Sequence, residues 1–131
     1  METSPENLGE RGETAAVRFL ETLGFSIVAR NVRVPISRNR KGGLVRGELD
    51  IVAFESETLV FVEVKTRRSE EAGAPEEAVT IGKQTRLSKT ARRYRRLVGP
   101  EDVPYRFDVV SIVWREPNPV ITLHRNFFKE I

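Results

Sequence analysis

Cysteine is absent from this chain of 131 residues, and histidine occurs once. The first absence excludes disulfides and thiolate metal sites. The second leaves zinc without its usual nitrogen ligands, so a metal bound here is held by oxygen. Long apolar runs are missing too, and nothing approaches the roughly 20 residues that a membrane-spanning helix needs. The opening Met1-Glu2-Thr3-Ser4-Pro5-Glu6 has neither the basic start nor the apolar stretch of a secretory signal, so no membrane partner and a cytoplasmic location are expected. Acids are missing from two stretches. Residues 30–46 carry Arg30, Arg33, Arg38, Arg40, Lys41 and Arg46 without an Asp or Glu, and residues 83–96 carry Lys83, Arg86, Lys89, Arg92, Arg93, Arg95 and Arg96 likewise. The net charge of +3 is mild, but this distribution leaves two positive surfaces suited to phosphates.

With 39% hydrophobic and 31% charged residues, the chain is composed as a soluble globular domain, and one domain over 1–131 is expected. Ser4-Pro5 is a helix-start signal. Leu8, Gly12, Ala15, Ala16, Phe19, Leu20 and Leu23 recur at helical spacing, and Gly24 supplies the stop. A strand is expected over 25–30, followed by an exposed basic loop at 39–43. Residues 47–54 and 59–65 are expected as strands joined by the polar Glu55-Ser56-Glu57-Thr58 turn. A polar loop over 67–77 leads to a helix over 78–98 whose apolar stripe is Leu87, Ala91, Tyr94 and Val98. Strands over 105–114 and 120–124 complete the order α-β-β-β-α-β-β.

The central hairpin holds the chemistry. If Phe54 pairs with Leu59, then Val52 faces Phe61, Asp50 faces Glu63 and Glu48 faces Lys65, all on one side of the sheet by the two-residue period. Like charges opposed at about 4.5–5.5 Å are destabilising. A hard divalent cation offsets this, since Mg²⁺ takes one or two protein carboxylates and leaves its other positions to water and phosphate oxygens. Glu63-Val64-Lys65 alone is common in a chain this charged. Within a strand whose flanking residues are apolar on both sides, an ionised pair is costly without a purpose. The competing interpretation is a structural ion-pair network joining Glu48 to Lys65 and Asp50 to a cation.

The blocks Gly12-Glu13-Thr14-Ala15-Ala16, Phe19-Leu20, Gly24-Phe25, Arg30-Asn31, Gly47-Glu48-Leu49-Asp50-Ile51-Val52-Ala53, Val60-Phe61-Val62-Glu63-Val64-Lys65 and Arg106-Phe107-Asp108-Val109-Val110 cover most of residues 9–113. They resemble the YraN-type family of bacterial proteins and, more distantly, the PD-(D/E)XK nucleases, the restriction-endonuclease-like superfamily that includes Holliday junction resolvases. The likeness implies an α/β fold with a restriction-endonuclease-like mixed central sheet flanked by helices. It implies Asp50 and Glu63 as ligands of Mg²⁺ or Mn²⁺, Lys65 beside the attacking water, and Glu13 as an accessory catalytic carboxylate and metal ligand from the first helix. The carboxylates are then expected to converge near that helix. Leu49 stands where the superfamily signature has proline, and Gln84 corresponds loosely to a glutamine that some of these nucleases place near the site.

The expected partner is a nucleic acid, DNA in the first instance, held by Arg38, Arg40, Lys41 and Arg46 on one segment and by Lys83, Arg86, Arg92, Arg93 and Arg96 on the other. The sequence leaves a homodimer open. No base-reading module is evident, so recognition by shape is expected. Two other functions fit the same residues: a nucleic-acid-binding module without turnover, and a structural or partner-binding domain with a basic face. Asp108, His124 and Trp114 are assigned structural roles.

Overall fold

The computed structural model describes residues 5–68, 79–115 and 117–131, with side chains from Leu8 onward. Its elements are α1 (Pro5–Thr22), β1 (Ser26–Arg38), β2 (Leu44–Glu55), β3 (Thr58–Arg68), α2 (Ile81–Leu97), β4 (Tyr105–Trp114) and β5 (Val120–Phe128). The order is the expected one. The Ser4 cap, most of the 67–77 loop and the expected helix start at Ala78 lie outside the described residues.

The five strands form one sheet in the order β1-β2-β3-β4-β5. Neighbours are antiparallel except β3 and β4, which run parallel and are therefore joined by a crossover carrying α2. In β3 the side chains alternate strictly. Leu59 and Phe61 enter one core with Leu87, Ala91, Tyr94 and Phe107, while Val60 and Val62 enter the other with Ala16, Leu20, Val110 and Ile112. Each helix thus buries its apolar stripe on its own face of the sheet.

α1 ends where Gly24 adopts φ +95°. The Gly24 N–H donates to Glu21 O and the Phe25 N–H to Leu20 O, each at 3.0 Å, and the Phe25 ring packs in the same core as Leu20. This pairing of orphan carbonyls with an apolar clasp is why the helix stops there. α2 begins where Thr80 Oγ1 accepts from Lys83 N–H at 3.3 Å. Two glycines set how close the helices approach. A Cβ on Gly12 would lie 2.0 Å from Thr66 Oγ1 of β3, and one on Gly47 would lie 1.9 Å from Thr90 Oγ1 of α2. Any larger residue at either place must push helix and sheet apart.

Several sequence expectations need correction. β1 runs to Arg38 instead of stopping at 30, β2 starts at Leu44, and β5 continues to Phe128. Arg67 and Arg68 continue β3, paired with Val113 and Trp114. Leu23 and Val98 are exposed at the ends of their helices, where helical spacing continues but the sheet beneath does not.

Among the described residues β1 has β2 as its one neighbour, and its register shifts between Ile27 and Ala29 and again between Pro35 and Ser37. A further irregularity matters for the site. Ala29 and Val32 both pack on the α2 side, as do Leu49 and Val52 across from them, so the two-residue period slips once on each strand. Between these pairs, the register Arg30↔Ile51 and Val32↔Leu49 sets Asn31, with φ +51°, opposite Asp50. Asparagine tolerates this left-handed backbone better than most residues.

Candidate metal and phosphate site

Asp50 stands where the central hairpin stops pairing. The β2–β3 ladder runs from Glu55↔Thr58 through Phe54↔Leu59 and Val52↔Phe61 to Ile51↔Val62, the expected register, but ends there, so the expected facing pairs Asp50↔Glu63 and Glu48↔Lys65 are not part of it. One residue further on, Asp50 Oδ2 accepts from the Val64 N–H at 2.8 Å, so the carboxylate satisfies a backbone donor beyond the end of the ladder. This bond holds Asp50 beside Glu63. The two line a cleft of about 250 Å³ with Arg46, Glu48, Lys83, Arg86 and Leu87.

Burial dominates the electrostatics. It raises the pKa of Glu63 first, and the neighbouring Asp50 charge raises it further, to about 7 despite the opposing Lys83. Burial also raises the Asp50 pKa, against the lowering effects of the Val64 N–H and Lys83. Lys83 Nζ lies 2.8 Å from Glu63 Oε1. Lys65, the partner the sequence suggested, has its pKa lowered by burial and then by Arg67 and Lys83, with Glu63 opposing. Glu48 pairs with Arg33 at 3.2 Å on the exposed surface. A Glu48–Lys65 ion pair is therefore not what organises this end of the sheet.

Glu13 stays outside the cleft lining, which α2 supplies and α1 does not. Burial raises its pKa, and the charge of Asp50 adds to the rise. One of its oxygens, Oε1, is buried without a hydrogen-bond partner. Among the described residues no three His, Cys, Asp or Glu side chains come together as a ligand set. The structure brings Asp50 and Glu63 together and leaves Glu13 as a neighbour. An oxygen-only pair of carboxylates, Glu63 buried and Asp50 half-buried, still fits Mg²⁺ or Mn²⁺, which needs one or two protein carboxylates and keeps its waters.

The basic residues divide. Arg86 donates to Arg46 O at 2.9 Å, pinning α2 to β2, and Arg38 donates to Gly42 O at 2.6 Å. Arg92 donates to Ile131 O and lies 3.8 Å from Glu130, so it ties α2 to the C-terminal segment instead of facing solvent phosphates. Arg40 and Lys41 sit on an exposed turn closed by Asn39, whose Oδ1 accepts from Lys41 and Gly43 N–H. Arg93 and Arg96 are exposed and form no ion pair among the described residues. The Gln84 amide is spent on Val79 O. Asp108 has the structural role expected, accepting from Arg106 and from the Asn126 N–H, and His124 meets Ser111 Oγ at 2.9 Å. The ion pair of Lys83 with Glu63 is the feature that sequence reasoning missed. Its trace in the sequence is the acid-free run over 83–96, in which Lys83 reads as one phosphate-binding cation among several.

A pH dependence follows from these shifts. The native pKa of Glu63 lies above the carboxylate's ordinary 4.5, so the folded protein binds this proton more tightly than the unfolded chain. The resulting stability is fully present below 4.5 and is lost as pH rises to about 7. In chelator, the melting temperature of the parent should therefore fall across this window. Glu63→Gln should flatten the fall, and an equally steep fall in that variant would place its origin elsewhere.

A family model described as "Uncharacterised protein family UPF0102" matches residues 12–112. The chain is 46% identical to a UPF0102 protein of Symbiobacterium thermophilum over 112 residues, covering 86% of this chain and 84% of the relative. It is 45% identical to a UPF0102 protein of Desulforapulum autotrophicum over 130 residues, 98% of each chain. A third relative, from Caldicellulosiruptor saccharolyticus, is 40% identical over 117 residues, 89% of this chain and 91% of the relative.

Proposed function

Because this chain belongs to the UPF0102 family, whose description names no activity, we propose its function from its own residues: a metal-dependent nuclease that hydrolyses phosphodiester bonds of DNA, branched or otherwise structured. The observation that carries this reading is the convergence of a buried carboxylate, Glu63, and a half-buried one, Asp50, in a cleft rimmed by Lys83, Arg86 and Arg46. The order of elements, which resembles the nuclease core, supports it. Asp50 and Glu63 are the residues that hold Mg²⁺ or Mn²⁺, and such an ion, when bound, polarises a phosphoryl oxygen and activates water. Lys65, near Glu63 and half-buried, offers a positive charge to the nucleophile or to the charge that develops on phosphorus oxygens. Arg40, Lys41, Arg93 and Arg96 present exposed cations for the backbone.

A second reading is a nucleic-acid-binding module of the same fold without turnover. The Lys83–Glu63 ion pair favours it, since an internal cation already meets one of the carboxylates.

Both readings predict a salt-dependent interaction with DNA. Arg93→Glu with Arg96→Glu should weaken binding across sequences and flatten the slope of log affinity against log salt by about one unit per lost phosphate contact. A folded variant with an unchanged slope removes this face of α2 from the interface. Incubation with Mn²⁺ and branched, flapped and single-stranded DNA then separates the two readings. Cleavage supports the nuclease, binding without cleavage supports the module, and neither leaves a partner-binding domain.

A further inference from the structure

Lys83, one of the cations at the cleft rim, has a contact to which the nuclease reading gives no role. It lies in the first turn of α2, a turn with no acidic residue, and its side chain reaches across the cleft mouth to Glu63 Oε1 at 2.8 Å. The two partners are not equivalent. Glu63 is fixed in β3, with a side chain 11% exposed, whereas the Lys83 side chain is 42% exposed and ends a flexible four-carbon stem. Arg86, one turn further along α2, lines the same wall, and the positive end of a helix dipole lies behind both.

Glu63 has two claimants. A divalent cation between Asp50 and Glu63 and an ammonium group against Glu63 Oε1 carry like charge and compete for the same carboxylate. A nucleic-acid backbone entering the cleft offers the ammonium another anion, at the basic rim formed by Arg86 and Arg46. We infer that Lys83 is an exchangeable place-holder: it occupies Glu63 in the empty cleft and transfers to a backbone phosphate when a divalent cation takes Glu63. The inference rests on the nuclease reading of this cleft. Its consequence is positive coupling, in which metal and phosphate backbone each tighten the binding of the other by the same factor.

Calorimetric titration of Mn²⁺ into the parent, Lys83→Gln and Lys83→Arg, with and without a short phosphorothioate DNA duplex, tests it. Removing one charged hydrogen-bond partner from Glu63 corresponds to an affinity change on the order of tenfold. The parent should bind Mn²⁺ about tenfold more tightly when the duplex is present. Lys83→Gln should bind Mn²⁺ alone about tenfold more tightly than the parent and gain less from the duplex than the parent does, keeping only the coupling that a direct contact between the ion and the phosphate supplies. Lys83→Arg, which keeps the charge, should retain the coupling. Parent affinity that the duplex does not change overturns the inference without recourse to any variant. Lys83→Gln with the parent's affinity and coupling also overturns it, and in both cases the nuclease reading stands. A parent that takes up no Mn²⁺ in either condition overturns both.

Discussion

Titrated with Mn²⁺, the protein should melt at progressively higher temperature, and Asp50→Asn should abolish most of that rise. A ligand that binds only the native state stabilises it by about 2.7 kcal/mol at a hundredfold excess over its dissociation constant. For a domain of this size that is a shift on the order of 10 °C. Asparagine at position 50 keeps an oxygen able to accept from the Val64 N–H, the bond that anchors Asp50 at 2.8 Å, and loses the charge. The metal-free variant should therefore be at least as stable as the metal-free parent, because repulsion with the buried Glu63 is relieved. Lys65→Ala separates chemistry from binding. It should keep the metal response and lose cleavage by roughly 10²–10³, the effect of removing one group that stabilises developing charge. A purely structural role for the pair predicts the reverse: no metal response in the parent, and destabilisation by both substitutions.

The largest loss of stability is expected from Arg106→Ala, on β4 beside the strand that carries Glu63. The Asp108 side chain is fully buried and accepts from Arg106 Nε at 2.9 Å and Nη2 at 3.0 Å. Arg106 also pairs with Glu55, which Arg125 grips at 2.6 Å. Together the two arginines, Arg125 first, hold the Glu55 carboxyl down to about 2. Removing Arg106 leaves the buried Asp108 charge with the Asn126 N–H alone. Breaking one side of a buried pair costs about 3–5 kcal/mol, and chemical denaturation of the variant should show a loss near the lower figure. Replacing both partners, Arg106→Met with Asp108→Leu, should recover part of it, since the desolvated charge is then gone. If the single variant loses no more than an exposed ion pair contributes, under about 1 kcal/mol, the network is decorative.

The sequence carried what local periodicity can carry. Alternation in β3 predicted which of its residues enter each core, and the turn at 55–58 set the hairpin register as far as Ile51↔Val62, beyond which Asp50 comes beside Glu63 through its bond to the Val64 N–H and not through strand pairing. Helical spacing placed Leu87, Ala91 and Tyr94 in the core. Contacts between distant segments were not legible. Lys83 reaches Glu63, Arg86 reaches the Arg46 carbonyl and Arg92 reaches the C-terminal segment, yet in sequence all three belong to one uniform basic run. The full length of β1 was hidden for another reason. A strand with one neighbour is half-exposed along its length, so its residues need not alternate. The slip opposite Asp50 coincides with a single left-handed asparagine, Asn31, which leaves no periodic trace.

The interruptions of β1 also bear on how copies of this chain meet. A sheet's outer strand is a template on which another chain can add, provided that its free N–H and C=O groups form a regular row. Here the row is broken by two register shifts, by the left-handed Asn31 and by Pro35, which has no N–H to offer. Arg30, Arg33 and Arg38 add mutual repulsion between any two such margins. The same irregularity that seats Asp50 thus guards this margin of the sheet against edge-to-edge pairing, and a self-association of the protein has to use another surface.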